Sequence, residues 1–102
     1  MAVIKVTSEN FKREVIDSAK PVLVDLNADW CGPCRMLAPL LEEVSASRDD
    51  VKIVSVNVDE SSDIAAEFGV SAIPCLVLVK DGREVKRNVG FMNKSGIENM
   101  LG

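Results

Sequence analysis

The sequence is poor in several things that would each have pointed to a different class of protein. It has no histidine, so a closed zinc site, which takes four Cys or His ligands, would have to be completed by a carboxylate. No apolar run approaches the ~20 residues of a membrane-spanning helix, and the start MAVIKVTSEN lacks the apolar h-region of a secretory signal. No membrane partner is expected, and the expected compartment is cytoplasmic. Positive charge is scarce as well. Twelve Lys and Arg against sixteen Asp and Glu leave a net charge of −4, the wrong sign for gripping a phosphate backbone, which argues against a nucleic-acid partner. Cysteine is limited to three. An odd number in a chain expected in the reducing cytosol speaks for chemistry rather than a permanent disulfide framework.

What is present is ordinary for a compact fold: 47% apolar and 27% charged residues in 102, enough for one core and too few for two, so residues 1–102 are expected to form a single domain. Charge is uneven. Residues 1–79 hold 7 basic and 13 acidic groups and residues 80–102 hold 5 and 3, a pattern of solvated faces, with partner steering as the other reading.

Apolar periodicity alternates between strand-like and helix-like stretches, the pattern of an α/β domain. VIKV at 3–6 predicts a short strand, and Thr7 or Ser8 a cap for a helix through Phe11, Val15 and Ile16 that ends near Lys20. The nearly unbroken apolar run at 21–28 predicts a strand covered on both faces. A helix should then start at the cysteines and run to Ser47, with Leu37, Leu40, Leu41 and Val44 inward and Pro39 bending it. VKIVSVNVD at 51–59 predicts another strand, followed by a helix from Ser61 to a stop at Gly69. Asp81-Gly82 between two strand-like runs predicts a tight antiparallel hairpin. A last helix from about Ser95 should turn Ile97, Met100 and Leu101 inward.

The segment NADWCGPCRML at 27–37 carries the chemistry. Cys31 and Cys34 stand two residues apart where a buried strand meets a helix, and that context favours a redox pair over metal ligands or a staple. At a helix amino terminus, unpaired N–H groups and the macrodipole stabilise a thiolate, which makes Cys31 the candidate nucleophile. Cys34, one turn further in and expected to be more covered, is placed to resolve a mixed disulfide. Gly32 and Pro33 permit the tight turn. Asp25 interrupts the apolar run VLVDL on the face of Leu23 and Asn27. Buried there it would have a raised pKa and could accept the Cys34 proton, or it is a partly hydrated structural Asp.

WCGPC at 30–34, the Asp25 strand before it, the Pro39 helix after it and AIPCLVLVKDG at 72–82 make the whole chain closely resemble a thioredoxin. The resemblance implies a thioredoxin fold, with a central mixed five-stranded sheet flanked by four helices, two on each face, and a cis Ile73-Pro74 peptide facing the dithiol. It implies Cys31 as nucleophile, Cys34 as resolving cysteine and Asp25 as buried acid. Trp30, Gly32, Pro33, Ile73, Pro74, Val89 and Gly90 become the substrate-facing surface, though Val89 without the resemblance reads as core. It further implies a monomeric protein disulfide reductase that serves disulfide-containing proteins through strand-like pairing beside the proline. An NADPH-dependent thioredoxin reductase would recharge it, with no cofactor bound by this chain. Three residues depart from the family pattern: Asn27 where an aromatic is usual, Ser55 where many members have Lys, and Cys75 where Thr is usual. Cys75 is either a small buried thiol filling that space or an additional redox thiol. The competing readings are an oxidase or isomerase, an assembly subunit with incidental thiols, and a metal or iron-sulfur site using all three cysteines.

Overall fold

The computed structural model describes residues 2–102. Among these, five strands and four helical segments follow one another as β1 (Ile4–Lys5), a π-helical turn (Lys12–Ile16), β2 (Val22–Asn27), α1 (Gly32–Ser47), β3 (Lys52–Asn57), α2 (Ser62–Phe68), β4 (Cys75–Lys80), β5 (Arg83–Val89) and α3 (Lys94–Leu101). The strands form one mixed sheet in the order β1-β3-β2-β4-β5. β1 and β2 run parallel to β3, whereas β4 is antiparallel to β2 and β5 antiparallel to β4.

Strand alternation sorts the core into two layers. Val22, Val24 and Leu26 of β2, Val54 and Val56 of β3 and Val77 and Val79 of β4 pack under the π turn and α2, against Val15 and Ile64. Leu23, Ile53, Leu76 and Leu78 point the other way, against Leu37, Leu41 and Val44 of α1 and Ile97, Met100 and Leu101 of α3. Two helical segments therefore cover each face, as the family resemblance implies. β2 is buried from Val22 to Leu26, which is why its sequence is nearly all apolar. The edges differ. β1 is only two residues long, and β5 is exposed along almost all of REVKRNV, with an irregularity in the β4–β5 register at Leu78/Val79.

The strand and hairpin expectations hold with ends trimmed by one to three residues, while the first helix does not form as expected. In place of an α-helix from a Thr7 or Ser8 cap to Lys20 stands one five-residue π turn, closed by Asp17 N–H donating to the Lys12 carbonyl at 2.9 Å. Of the two capping candidates, Ser8 is used elsewhere, its Oγ donating to Asp63 of α2 at 2.6 Å, whereas Thr7 does cap the turn that leads in: its Oγ1 accepts from Glu9 N–H and its own N–H donates to Asn10 Oδ1 at 2.8 Å. Lys52 of β3 holds the turn against the sheet, its ammonium 3.0 Å from the Glu14 carbonyl oxygen and 3.2 Å from the Glu14 carboxylate. Pro39 does not end α1, which continues to Ser47; the Arg35 carbonyl merely loses its partner one turn on. Gly69 ends α2 in the left-handed conformation, with φ +64°. α3 starts one residue before Ser95 because Asn93 caps it, Oδ1 accepting from Gly96 N–H at 2.9 Å.

Asp81 and Gly82 both have positive φ, +53° and +76°, the geometry of a two-residue hairpin turn that matches strand twist. Gly82 also backs onto the π turn: a Cβ there would lie 3.3 Å from the Ile16 carbonyl oxygen. Gly82→Ala is expected to destabilise the fold by about 1–2 kcal/mol through left-handed strain alone, with crowding at Ile16 added, as urea denaturation will measure. A neutral effect would show that the turn relaxes freely.

Candidate active site

β2 ends at Asn27 and the chain turns into α1 within four residues. Cys31 sits at the junction as the N-cap, with extended backbone (φ −88°, ψ 110°) and Cys34 N–H donating to its sulfur at 3.2 Å. A sulfur thus occupies the place that a Ser or Asp oxygen takes in most helix caps. Further bonds fix the loop. Cys31 N–H donates to the Ala28 carbonyl and Arg35 Nη1 to that of Asp29; Asn57 Nδ2 donates to Asp29 Oδ1 at 3.3 Å. Asn57 Oδ1 in turn accepts from Asp59 and Glu60 N–H, and Trp30 Nε1 donates to Asp59 Oδ2 at 2.9 Å. The end of β3 therefore scaffolds the loop that β2 delivers.

Cys31 and Cys34 are joined as a disulfide with Cα atoms 5.2 Å apart. They cluster with Ala28, and Val58 and Ile73 pack against them. Their exposures are nearly equal, 5% and 4%. Taken over whole residues, coverage barely separates the two cysteines in this oxidised state, Cys34 being the more covered by one per cent. What distinguishes them is the helix end: only Cys31 receives the N–H.

The residues expected to face a substrate divide into two groups. Trp30 is 69% exposed and lines a groove of about 400 Å³ with Val58, Ala65, Val70 and Ile73; Pro33 is exposed and Gly32 half-buried beside it. The peptide Ile73-Pro74 is cis. Val89 and Gly90 do not line that groove but join the site through Pro74, whose carbonyl accepts from Gly90 N–H at 2.8 Å. Val89 is 56% exposed, so it is not core. The sequence reading missed Val58, Ala65 and Val70, whose small apolar side chains give the same signal as core positions.

Asp25 is buried on the α1 face of the sheet, and its Oδ1 has no hydrogen-bond partner among the described residues. Burial pushes its carboxyl up to about 7, and a hydrogen bond from Asn27 offsets part of that rise. Asp25 and Cys34 line the same cleft of about 290 Å³, together with Asn27, Arg35, Ala38 and Ser55. Cys75 lies apart. It is a free, buried thiol in the core under α2, on the other face of the sheet from Asp25, and burial raises its pKa. Among the described residues no three His, Cys, Asp or Glu side chains converge to hold a metal ion, and no helix is long and apolar enough to cross a membrane.

A disulfide that opens to leave one sulfur at a helix amino terminus and a second thiol next to it is suited to reversible exchange with other disulfides, and the protein is a dithiol–disulfide oxidoreductase. Comparison with known proteins agrees over nearly the whole chain. Residues 2–102 match the family model of thioredoxin. Thioredoxin 1 of Synechococcus elongatus is 46% identical over 97 residues, covering 94% of this chain and 91% of its own. The thioredoxin of Mycobacterium bovis is 47% identical over 97 residues, 94% and 84% of the two chains. That of Alicyclobacillus acidocaldarius is 46% identical over 101, 98% and 95%. The chain belongs to the thioredoxin family.

The buried carboxyl has a measurable cost. Unfolded, Asp25 releases its proton near its ordinary 3.8; folded, it keeps it up to about 7. The folded state binds the extra proton in that window, so the contribution of this residue to stability is lost as pH rises from about 4 to about 7 and stays lost above it. Asp25→Asn is therefore expected to stabilise the oxidised protein by about 2–4 kcal/mol at about pH 8 and by little near pH 4, measured by denaturant titration at both. An equal gain at the two pH values would contradict the raised pKa.

Proposed function

We propose that the protein carries reducing equivalents to disulfide-containing proteins, acting as one monomeric domain in the cytoplasm and recharged by an NADPH-dependent thioredoxin reductase. The observation that carries this reading is the Cys34 N–H aimed at the Cys31 sulfur from the first turn of α1. Once the pair is reduced, that N–H and the helix dipole favour Cys31 as thiolate over thiol.

The reaction then runs in two displacements. Cys31 thiolate attacks one sulfur of the substrate disulfide; a mixed disulfide forms, and the first substrate sulfur leaves as thiolate and takes a proton from water. Cys34 gives its proton to Asp25 and attacks the Cys31 sulfur. The Cys31–Cys34 bond closes, and the second substrate sulfur leaves as thiolate and is protonated in turn. Two electrons pass from the protein dithiol to the substrate, and the reductase returns two. Asp25, with a pKa near the working pH, is matched to accept and release the proton.

Trp30, Gly32, Pro33, Ile73, Pro74, Val89 and Gly90 make up the docking surface in this reading. A shallow apolar groove beside an exposed Trp and half-buried backbone at Ile73 and Gly90 suits an extended segment of many sequences. Cys75 is assigned a packing role, because a thiol in the α2-face core with a raised pKa is a poor nucleophile.

The test is NADPH oxidation coupled through a thioredoxin reductase to a protein disulfide such as insulin. Cys31→Ser is expected to lose all activity. Cys34→Ser should turn over no substrate yet accumulate a mixed disulfide visible by mass spectrometry, and Cys75→Ser should leave the rate within about twofold of wild type. Full activity of either of the first two variants would overturn the assigned roles.

A further inference from the structure

Asn27 and Ser55 are the polar residues on β2 and β3 next to Asp25, and the fold brings all three together. Asp25 pairs with Ser55 across the parallel β2–β3 ladder, and Asn27 lies two residues on, on the same face of the sheet. The two N–H groups of the Asn27 amide serve three oxygens, one of them shared: Asp25 Oδ2 at 3.1 Å, the Asp25 carbonyl at 3.1 Å and Ser55 Oγ at 2.8 Å. The shortest of these goes to the serine. Asn27 is half-buried and its side chain spans from one strand to the next, so its rotamer is set at both ends.

The consequence for Asp25 is asymmetry. One carboxylate oxygen is held by a donor, and the other, Oδ1, is buried with no partner among the described residues. Buried polar atoms are rarely left so, and this one belongs to a side chain that lines the cleft shared with Cys34. We propose that Asn27, anchored by Ser55, is a positioning residue for the second displacement: its carboxamide grips Oδ2 of Asp25 and leaves Oδ1 as the atom that takes the Cys34 proton.

This rests on the role given to Asp25 above and adds to it. The proton moves from Cys34 Sγ to Asp25 Oδ1; the new thiolate attacks Cys31 Sγ of the mixed disulfide, the bond to substrate sulfur breaks, and the departing thiolate takes a proton from water. No further oxidant or reductant enters. The titratable groups around Asp25 are Cys34, Arg35 and Glu42 of α1, Asp29 of the loop, Lys5 of β1 and Cys75 of β4. The Asp25 carboxyl is raised by burial and lowered in part by the Asn27 hydrogen bond. Lys5 instead pairs with Glu60 at 3.6 Å, the Arg35 guanidinium is turned to the Asp29 carbonyl, and Glu42 accepts from Val3 N–H. Asn27, by its hydrogen bond to Oδ2, is thus a side chain that trims the basicity of this base.

The second displacement can be read by itself. Reduced protein is mixed in a stopped-flow instrument with an aromatic disulfide whose thiolate product is coloured. The first burst of colour reports attack by Cys31 and the second reports resolution by Cys34. From about pH 5 to about pH 9, the rate of the second phase in wild type should rise with a midpoint near that of Asp25. Asn27→Leu removes the donor at similar size. It is expected to move that midpoint upward by roughly one pH unit, the worth of one hydrogen bond to a carboxylate, and to slow the second phase at neutral pH by up to about tenfold. The first phase should be unchanged. Ser55→Ala removes only the anchoring oxygen and should shift the midpoint in the same direction by less, which decides the matter if Asn27→Leu does not fold. Profiles of both variants that superpose on wild type, while Asp25→Asn abolishes the limb, would reduce Asn27 to packing and overturn the proposal alone. A limb that survives Asp25→Asn would overturn the acceptor role of Asp25 itself, and this proposal with it.

Discussion

Val22, Leu23, Val24 and Leu26 are buried from both sides of the sheet, and this two-sided burial of β2 sets the position of everything at its carboxyl end. The strand cannot slip by one residue without exchanging the side chains of its two faces, so Asp25 is fixed toward α1 and the turn after Asn27 leaves the sheet at a fixed point. α1 starts there because its own stripe of Leu37, Leu41 and Val44 must lie on the same sheet. Cys31 is a helix cap as a result of these two packings. The core thus decides where the helix end lies, and with it which sulfur receives the Cys34 N–H.

The same packing explains why Asp25 is tolerated. A carboxyl in the second core layer works against folding at neutral pH, and an apolar residue of its size would be favoured there on stability alone. Asn57, by contrast, is a buried polar residue that is fully used, accepting from two backbone N–H groups and donating to Asp29. The two residues mark the difference between polarity that holds a structure and polarity held by one. Local cost at a reacting centre, borne by a well-packed surrounding, is a common arrangement in enzymes.

Much of this was legible from the residues alone, and the part that was not has physical reasons. The apolar run of β2, the left-handed stop at Gly69, the Asp81-Gly82 turn and the cysteine pair at a strand-to-helix junction are local signals, readable because each depends on a few neighbouring residues. The π turn is not local. Its closure is shared with Lys52 of β3, 38 positions from Glu14, so Phe11, Val15 and Ile16 read as an ordinary helical stripe. The groove residues Val58, Ala65 and Val70 were invisible because an apolar side chain at the rim and one in the core have the same sequence signature. Val89, apolar by type, reads as core when the family resemblance is set aside, yet it stands exposed. Asn27 and Ser55 stood out by type, yet their contact depends on strand register, which no single segment encodes.

The edges of the sheet bear on how such a molecule behaves in a crowd. β1 offers only two residues for pairing, and β5 presents Arg83, Glu84, Lys86 and Arg87 along its exposed length, with an irregular register beside it. A short edge and a charged one are both poor templates for another strand. Neither edge therefore favours extension of the sheet by a second copy, even though the site itself leaves Trp30 and Val89 bare. The largest exposed apolar side chain, that of Trp30, stands at the site, whereas the edges of the sheet are short or charged.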